Sequence, residues 1–233
     1  MSKLKKELNL YGLTMIVIGA VIGAGIFRTP SEIAGYLDNH LLIILVWVLG
    51  GIVALTGALT FSELGGMFPK AGGVYVFLRE AYGRLVGFLY GWVILLVITT
   101  GALAALATAF SNYMEIFFEM SEKEQSMLSI LVIVVLTFIN IVGVNITQIF
   151  ANVFTGLKLI AIIAIIAVGF VFKNPEVTLN FTMEGVPDNI VAMMFAGLTG
   201  VFFAIGGWHH ASYLASETID AKRTVPSAMV IGV

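Results

Sequence analysis

Two glycine-rich stretches contain the backbone N–H and carbonyl groups that are best suited to bind a small charged molecule. "GAVIGAGIF" covers residues 19–27, and "GLTGVFFAIGGW" covers residues 197–208. Each lies inside a long apolar run, where a glycine weakens a helix by about 1 kcal/mol relative to alanine. A helix interrupted at Gly23–Gly25 exposes N–H groups at the start of its second half, where the helix dipole is positive. An interruption at Ile205–Gly207 exposes carbonyl groups at the end of the preceding half.

These two kinds of backbone group suit the two charges of a zwitterion. N–H groups at a helix start bind a carboxylate, and free carbonyl oxygens accept hydrogen bonds from an ammonium group. An α-amino acid carries both charges on neighbouring groups, so the paired interruptions predict an amino-acid site. The alternative is close helix packing, because Gly19 and Gly23 also form a small-xxx-small pattern. We assign Gly19 to packing and Gly23 and Gly25 to binding.

Lys158 is a lone charge inside an apolar run. It lies about 15 Å along a helix that begins near residue 148, at 1.5 Å per residue. A lysine at the centre of a membrane helix costs roughly 2.5–3.5 kcal/mol, so its side chain is predicted to face the protein interior. The alternative is a side chain that extends to the membrane surface. Asn152 and Thr155 share its helical face and are predicted to hydrogen-bond across helices.

Other polar side chains could carry chemistry but lack partners in the sequence. His209 and His210 are adjacent, so on a helix they point about 100° apart, and no acidic residue lies three or four positions away. They are predicted to pack or to gate rather than to bind metal. Arg28 either shapes an outer vestibule or is interfacial, and Glu63 and Glu217 are either solvated or form gate salt bridges. We predict no catalytic residue, no metal site and no cofactor, so the protein is not expected to be an enzyme.

The elements that position these residues are predicted to be membrane helices. Apolar residues make up 59% of the 233 positions and charged residues 11%, far below the quarter that is usual in soluble domains. The basic start followed by an apolar run could be a signal peptide, but no cleavage site follows it. The net charge of −2 argues against a nucleic-acid partner, whereas the lipid bilayer is an expected one. We predict one transmembrane domain over residues 1–233 with spans near 11–36, 41–64, 85–113, 126–144, 148–172 and 189–215.

Basic residues are distributed unequally between the two sets of loops. One set, which includes the amino-terminus, holds eight Lys and Arg residues, and the other holds three. The positive-inside rule therefore predicts a cytoplasmic amino-terminus for this multi-pass protein of the cell membrane. The apolar segment that begins with "VPSAMVIGV" stops after a few residues, so we expect a truncated chain, the amino-terminal part of a longer transporter.

Three longer stretches carry a family resemblance. "IGAVIGAGIFRTP", "FSELGGMFPKAGGVYVFLREAYG" and "FFAIGGWHHASYLASETIDAKRTVPSAMVIG" resemble segments of the amino acid–polyamine–organocation (APC) transporters. Within them, the chain is most similar to the amino-terminal half of L-type amino acid transporters and bacterial serine/threonine exchangers. The resemblance implies an all-α LeuT-type fold with inverted repeats. This chain would supply the first five-helix repeat and the sixth span, with discontinuous first and sixth helices, which agrees with paired glycine interruptions in inverted halves.

The resemblance also implies roles for particular residues. Gly23, Ala24 and Gly25 would bind the substrate carboxylate, and Phe203, Ala204 and Ile205 would offer carbonyls to the amine. Trp208 would border the pocket, and Ile22 and Gly206 would be further substrate-binding residues. In similar sodium-independent members, a lysine at the position of Lys158 replaces sodium. Many members carry a hydroxyl residue where Ala24 stands here, so one side-chain contact is missing.

The expected function is therefore sodium-independent transport of neutral amino acids by alternating access, by exchange. The alternatives are a proton-coupled amino acid permease and a truncated fragment without transport of its own. An intramembrane enzyme is disfavoured, because facing spans offer only the His209–His210 pair.

Overall fold

The computed structural model describes residues 6–37, 39–172, 181 and 189–233 of the chain. Nearly all of these residues are helical, and the described part contains no β-strand beyond one isolated bridge between Leu8 and Thr218. The α-helices are α1 Leu10–Val21, α2 Gly25–Tyr36, α3 His40–Met67, α4 Val74–Tyr82, α5 Arg84–Val93, α6 Thr100–Met114, α7 Glu122–Val142, α8 Val144–Val171, α9 Ile190–Ala204 and α10 Ala221–Gly232. A π-helical segment, Ile94–Thr99, joins α5 to α6, and a 3₁₀ helix covers Trp208–Glu217.

Six helical stretches of the described chain are long and apolar enough to cross a membrane. They are Leu10–Tyr36, His40–Met67, Arg84–Met114, Glu122–Val142, Ile146–Val171 and Ile190–Glu217. Side-chain caps begin several of them: Asn9 accepts from the N–H of Gly12 at 2.8 Å, and Ser121 and Glu124 form a capping box. Such caps contribute about 1 kcal/mol each. The turn between α7 and α8 is the single residue Gly143, whose φ of 143° suits a glycine.

Both predicted interruptions are present. The first span breaks between α1 and α2, where Ile22 has φ −81° and ψ 77°, outside the helical region. The sixth span breaks after α9, where Gly207 has a left-handed φ of 98°. The prediction of discontinuous first and sixth helices is thus confirmed.

The chain divides into two compact units, and the first contains both interruptions. It comprises the described residues up to Gly73 and from Phe150 to Val233. One buried cluster joins α1, the 3₁₀ helix and α10, and its largest members are Leu8, Leu13 and Met229. A second cluster joins α2, α3 and α9 around Ile33, Val46 and Val201. Each interrupted span therefore contributes its two halves to two different cores.

The second unit, Val74–Ile149, contains α4 to α7 and the first residues of α8. Polar side chains join α6 to α7: the Ser129 hydroxyl donates to the Ser111 hydroxyl oxygen at 3.0 Å and lies 3.2 Å from the Ala107 carbonyl. Ser111 is completely buried. Hydroxyl groups of this kind stabilise helix pairs in apolar surroundings by about 0.6 kcal/mol or more.

Candidate functional site

The first interruption rearranges the backbone hydrogen bonds of α1. The N–H of Ile22 still donates to the carbonyl of Ile18 at 2.8 Å, but the N–H of Gly23 donates to Val21 at 2.9 Å instead of reaching Gly19. The carbonyl of Gly19 therefore lacks its helical donor, and so does the carbonyl of Ala20. Both would be costly to leave unpaired inside a membrane.

The start of α2 presents the free donors that the sequence predicts, with a shift of one residue. Because the N–H of Gly23 is used within the turn, the N–H groups without an acceptor among the described residues are those of Ala24, Gly25 and Ile26. They lie at the positive end of the α2 dipole, where a carboxylate is favoured. Ile26 was not among the predicted residues, since the turn bond of Gly23 could not be read from the sequence.

Lys158 reaches the interruption from α8. Its Nζ donates to the carbonyl of Gly19 at 3.0 Å, and its side chain is half-buried. This carbonyl is one of the two that the rearranged turn sets free. The lysine thus supplies the donor that a continuous helix would have taken from Gly23.

A second residue of the same α8 face contacts α1 at Gly19. Thr155 is buried and lies against Gly19, where an added Cβ would overlap its hydroxyl oxygen. The packing role assigned to Gly19 therefore has a partner in the structure. The Oδ1 atom of Asn152 is buried and has no hydrogen-bond partner within the described part of the chain.

The second interruption presents carbonyl groups. The N–H of Ile205 donates to Val201 at 2.9 Å and closes the last turn of α9. Across the described ranges, no backbone N–H donates to the carbonyls of Phe202, Phe203 or Ala204. These groups carry the negative end of the α9 dipole, which favours a cation.

The two interruptions meet through their glycines. A Cβ on Gly25 would lie 2.8 Å from the Cα of Ala204, and a Cβ on Gly207 would lie 2.8 Å from the carbonyl oxygen of Ala20. The start of α2 therefore lies against the end of α9, and the turn after α9 lies against the end of α1. The free N–H groups of α2 and the free carbonyl groups of α9 therefore lie side by side, an arrangement suited to a zwitterion.

The predicted residues of the sixth span do not all face the same space. Ile205, Gly206 and Trp208 line a cavity of about 300 Å³ together with Val53, Ala54 and Gly57 of α3. The indole of Trp208 lies over Gly57 and packs edge-on against Phe61 at 5.2 Å between ring centroids. Ile22, Gly23, Ala24 and Gly25 do not line this cavity, and the Phe203 side chain is 81% exposed. Apart from Gly57 in "ALTGALTF", the sequence contains no pattern that would predict α3 residues in the lining of this cavity.

Of the remaining polar candidates, His209 lines the cavity beside Trp208. The rings of His209 and His210 are 4.6 Å apart between centroids, and both contact Tyr213. Within the helices and turns that the structure describes, no three His, Asp or Glu side chains are grouped to hold a metal ion. Arg28 forms an exposed ion pair with Glu32, four residues along α2, and such pairs contribute at most about 1 kcal/mol.

Comparison with known proteins yields relatives whose names describe amino acid transporters or an amino acid exchanger. The b(0,+)-type amino acid transporter 1 of Mus musculus is 32% identical over all of this chain and 49% of its own length. The Asc-type amino acid transporter 1 of Mus musculus is 34% identical over 99% of this chain and 45% of its own length. A serine/threonine exchanger of Bacillus subtilis (strain 168) is 33% identical over 98% of this chain and 51% of its own length.

The chain spans about half the length of these curated relatives. A family model described as amino acid permease matches residues 8–233, which includes every helix described above and both interruptions. Together with six helices of membrane-spanning length, this match makes the chain a multi-pass membrane protein. The chain belongs to the amino acid permease family.

Proposed function

We propose that this chain is the amino-terminal part of a transporter that exchanges neutral amino acids across the cell membrane by alternating access, without sodium. The observation that carries the proposal is the meeting of the two interruptions at Gly25 and Gly207. Within the first unit, it places the free N–H groups at the start of α2 next to the free carbonyl groups at the end of α9.

The substrate carboxylate would bind the N–H groups of Ala24, Gly25 and Ile26, next to Ile22 and Gly23. The substrate ammonium would bind the carbonyls of Phe203, Ala204 and Ile205, with Gly206 and Trp208 at the edge of the site. Only backbone groups contact the zwitterion in this arrangement, so any α-amino acid satisfies it. The preference for a neutral side chain is supported by the lining of the cavity beside Trp208, where the described residues include His209 but no Asp, Glu, Lys or Arg.

Sodium independence is proposed from the contact of Lys158 with Gly19. A cation bound at the end of α1 would neutralise the free carbonyls there, and the lysine ammonium carries the same charge on a covalent tether. The exchange mode is supported by the name of the Bacillus subtilis relative, a serine/threonine exchanger. The amino-terminus is proposed to lie in the cytoplasm, from the excess of basic residues in its set of loops.

Uptake into proteoliposomes tests this function on the intact protein that contains the chain. We expect uptake of a labelled neutral amino acid only when the vesicles contain unlabelled substrate, with equal rates in sodium and in choline. Uptake into empty vesicles that follows an imposed pH gradient would favour a proton-coupled permease instead. Absence of both uptake and thermal stabilisation by amino acids would contradict the proposal.

Replacing Lys158 by alanine tests its role. The substitution leaves the Gly19 carbonyl without a donor in the membrane interior, so we expect exchange to fall at least tenfold, the equivalent of about 1.4 kcal/mol. Lys123, an exposed lysine in the first turn of α7, is the matched control, and Lys123→Ala should retain exchange within twofold. Normal exchange by the Lys158→Ala variant would contradict the role proposed for Lys158.

A further inference from the structure

A polar cavity of about 490 Å³ lies between α6 and α7, within the second unit. Ser111 and Ser129, which line it, are 0% and 9% exposed. Among the described residues, no lysine or arginine lines the cavity, and Glu122 supplies its charged group. Two helices of membrane-spanning stretches therefore enclose a polar recess with a negative charge.

The hydroxyl groups of this cavity have already used their protons. A serine or threonine hydroxyl has one proton to donate and two lone pairs with which to accept. Thr108, Ser111 and Ser126 each donate to a backbone carbonyl three or four positions earlier, all at 2.9 Å. The Ser129 hydroxyl donates to Ser111 and also lies 2.9 Å from the carbonyl oxygen of Gln125. The cavity wall is left with hydroxyl oxygens that accept, so a ligand must supply the donors.

Glu122 determines the charge that this cavity favours. Its carboxylate forms no hydrogen bond or ion pair within the described part of the chain. The segment from residue 115 to residue 124 contains four glutamates and one lysine, so the electrostatic potential around Glu122 is negative. A cationic group is attracted to this end of the cavity, and an anionic headgroup is repelled from it.

The cavity extends along α7 from the membrane surface into the hydrocarbon region. Glu122 is the first residue of a spanning stretch that ends at Val142. Ile130 and Ile133 also line the cavity, and at 1.5 Å per residue they lie about 12 to 16 Å further along the helix. That depth approaches the middle of a hydrocarbon core about 30 Å thick. A ligand that fills the cavity therefore needs a polar head beside Glu122 and an apolar part beside the two isoleucines.

We propose that the cavity between α6 and α7 binds a membrane lipid whose headgroup carries a primary ammonium, as in phosphatidylethanolamine. Such an ammonium has a positive charge and three N–H donors, like that of lysine. It matches the Glu122 carboxylate and the acceptor oxygens of Thr108 and Ser126, while an acyl chain lies along Ile130 and Ile133. A choline headgroup has the same charge but no N–H donor, so it cannot satisfy these acceptors. The inference requires only that the chain spans a membrane, and it does not rest on the proposed function.

Native mass spectrometry tests the lipid preference on the intact protein that contains the chain. The purified protein is mixed in detergent with equal amounts of phosphatidylethanolamine and phosphatidylcholine that have the same acyl chains. We expect at least five times more bound phosphatidylethanolamine, because hydrogen bonds to charged groups are the strong ones. Equal binding of the two lipids would overturn the proposal. Displacement of the lipid by free ethanolamine in hundredfold excess would assign the site to soluble amines and would also overturn it.

Glu122→Gln tests whether the preference arises at this cavity. The substitution removes the charge, keeps the size of the side chain and leaves the capping box of Ser121 and Glu124 in place. We expect the ratio of bound phosphatidylethanolamine to phosphatidylcholine to fall to less than two. Glu119→Gln is the matched control, because Glu119 is exposed in the same acidic segment but, among the described residues, does not line the cavity. Equal ratios in the two variants would contradict binding at the cavity.

Thr108→Val tests the hydroxyl acceptors without changing charge. Valine has nearly the same shape, and we expect the lipid ratio to fall about threefold for the loss of one hydrogen bond. The control is Thr137→Val, since the Thr137 hydroxyl also donates to a carbonyl of its own helix, at 2.7 Å, but lies outside the cavity lining. The thermal unfolding midpoint of each variant shows that it is folded. A parental ratio in folded Thr108→Val would overturn the coordination of the ammonium proposed here.

Discussion

Gly25 and Gly207 lie where a neighbouring backbone leaves no space for a side chain. The contact of Gly25 is with the Cα of Ala204, and that of Gly207 is with the carbonyl of Ala20. Gly207 also needs its positive φ of 98°, which L side chains rarely adopt. In contrast, a Cβ on Gly23 meets nothing within 4 Å among the described residues. Its lack of a side chain therefore leaves room beside the free N–H groups.

Substituting Gly25 by alanine tests the contact between the interruptions. The new Cβ would meet backbone rather than a flexible side chain, so α2 or α9 must shift. We expect a destabilisation of about 1–3 kcal/mol and weaker stabilisation by amino acids. The measurement is the thermal inactivation midpoint in detergent, with and without substrate.

Gly35→Ala is the matched control, because Gly35 also lies on α2 and its Cβ would meet no described residue within 4 Å. Alanine is the better helix former, so this variant should be unchanged or slightly more stable. A Gly25→Ala protein as stable as Gly35→Ala would show that the interruptions do not meet as described.

Helix α3 contacts the sixth span both before and after its interruption. Its Gly57 lies under the indole of Trp208, where a Cβ would come within 2.8 Å of the ring carbon Cζ2. Further along α3, Gly50 meets the side chain of Val201, so the same helix also holds the end of α9. Small residues at these positions allow two membrane helices to approach closely.

Gly57→Ala should displace Trp208 from α3. If the indole borders the substrate site, KM for exchange should rise about fivefold, which corresponds to about 1 kcal/mol of lost binding, while the maximal rate changes less. Gly51→Ala on the same helix is the control, since its Cβ would meet nothing within 4 Å of the described residues. An unchanged KM in Gly57→Ala would show that Trp208 does not contribute to substrate binding.

At the scale of the whole molecule, membership of the amino acid permease family assigns the LeuT-type fold to this chain, whose described part is nearly all helical. Six helices of the described residues are long and apolar enough to span a membrane, and six spans would return the chain to the side on which it starts. That side is proposed to be the cytoplasm. The excess of basic residues in one set of loops is the basis for this orientation.

Single cysteines test the orientation, because the sequence of 233 residues has none of its own. Lys123 is the second residue of the fourth spanning stretch, Arg84 is the first residue of the third, and both positions are exposed. In intact cells, we expect an impermeant maleimide to label Lys123→Cys at once and Arg84→Cys only after permeabilisation. The reverse order would place the amino-terminus outside the cell.

The sequence by itself determined the class of the protein and the location of both interruptions. Apolar runs of membrane length and mid-run glycines are local signals, and they depend on hydrophobicity and helix propensity rather than on contacts between distant residues. Lys158 could be assigned to the interior for the same reason, since an unpaired charge at mid-depth is costly.

Only the tertiary structure decided which groups meet. The contacts of Lys158 with Gly19, of Gly25 with Ala204 and of Trp208 with Gly57 each join residues more than a hundred positions apart, and no periodicity encodes them. The turn bond of Gly23, which frees the N–H of Ile26, depends on a backbone conformation that glycine permits but does not specify. The bridge of Leu8 to Thr218 carried no sequence signal at all, because it is made by backbone groups that every residue except proline possesses.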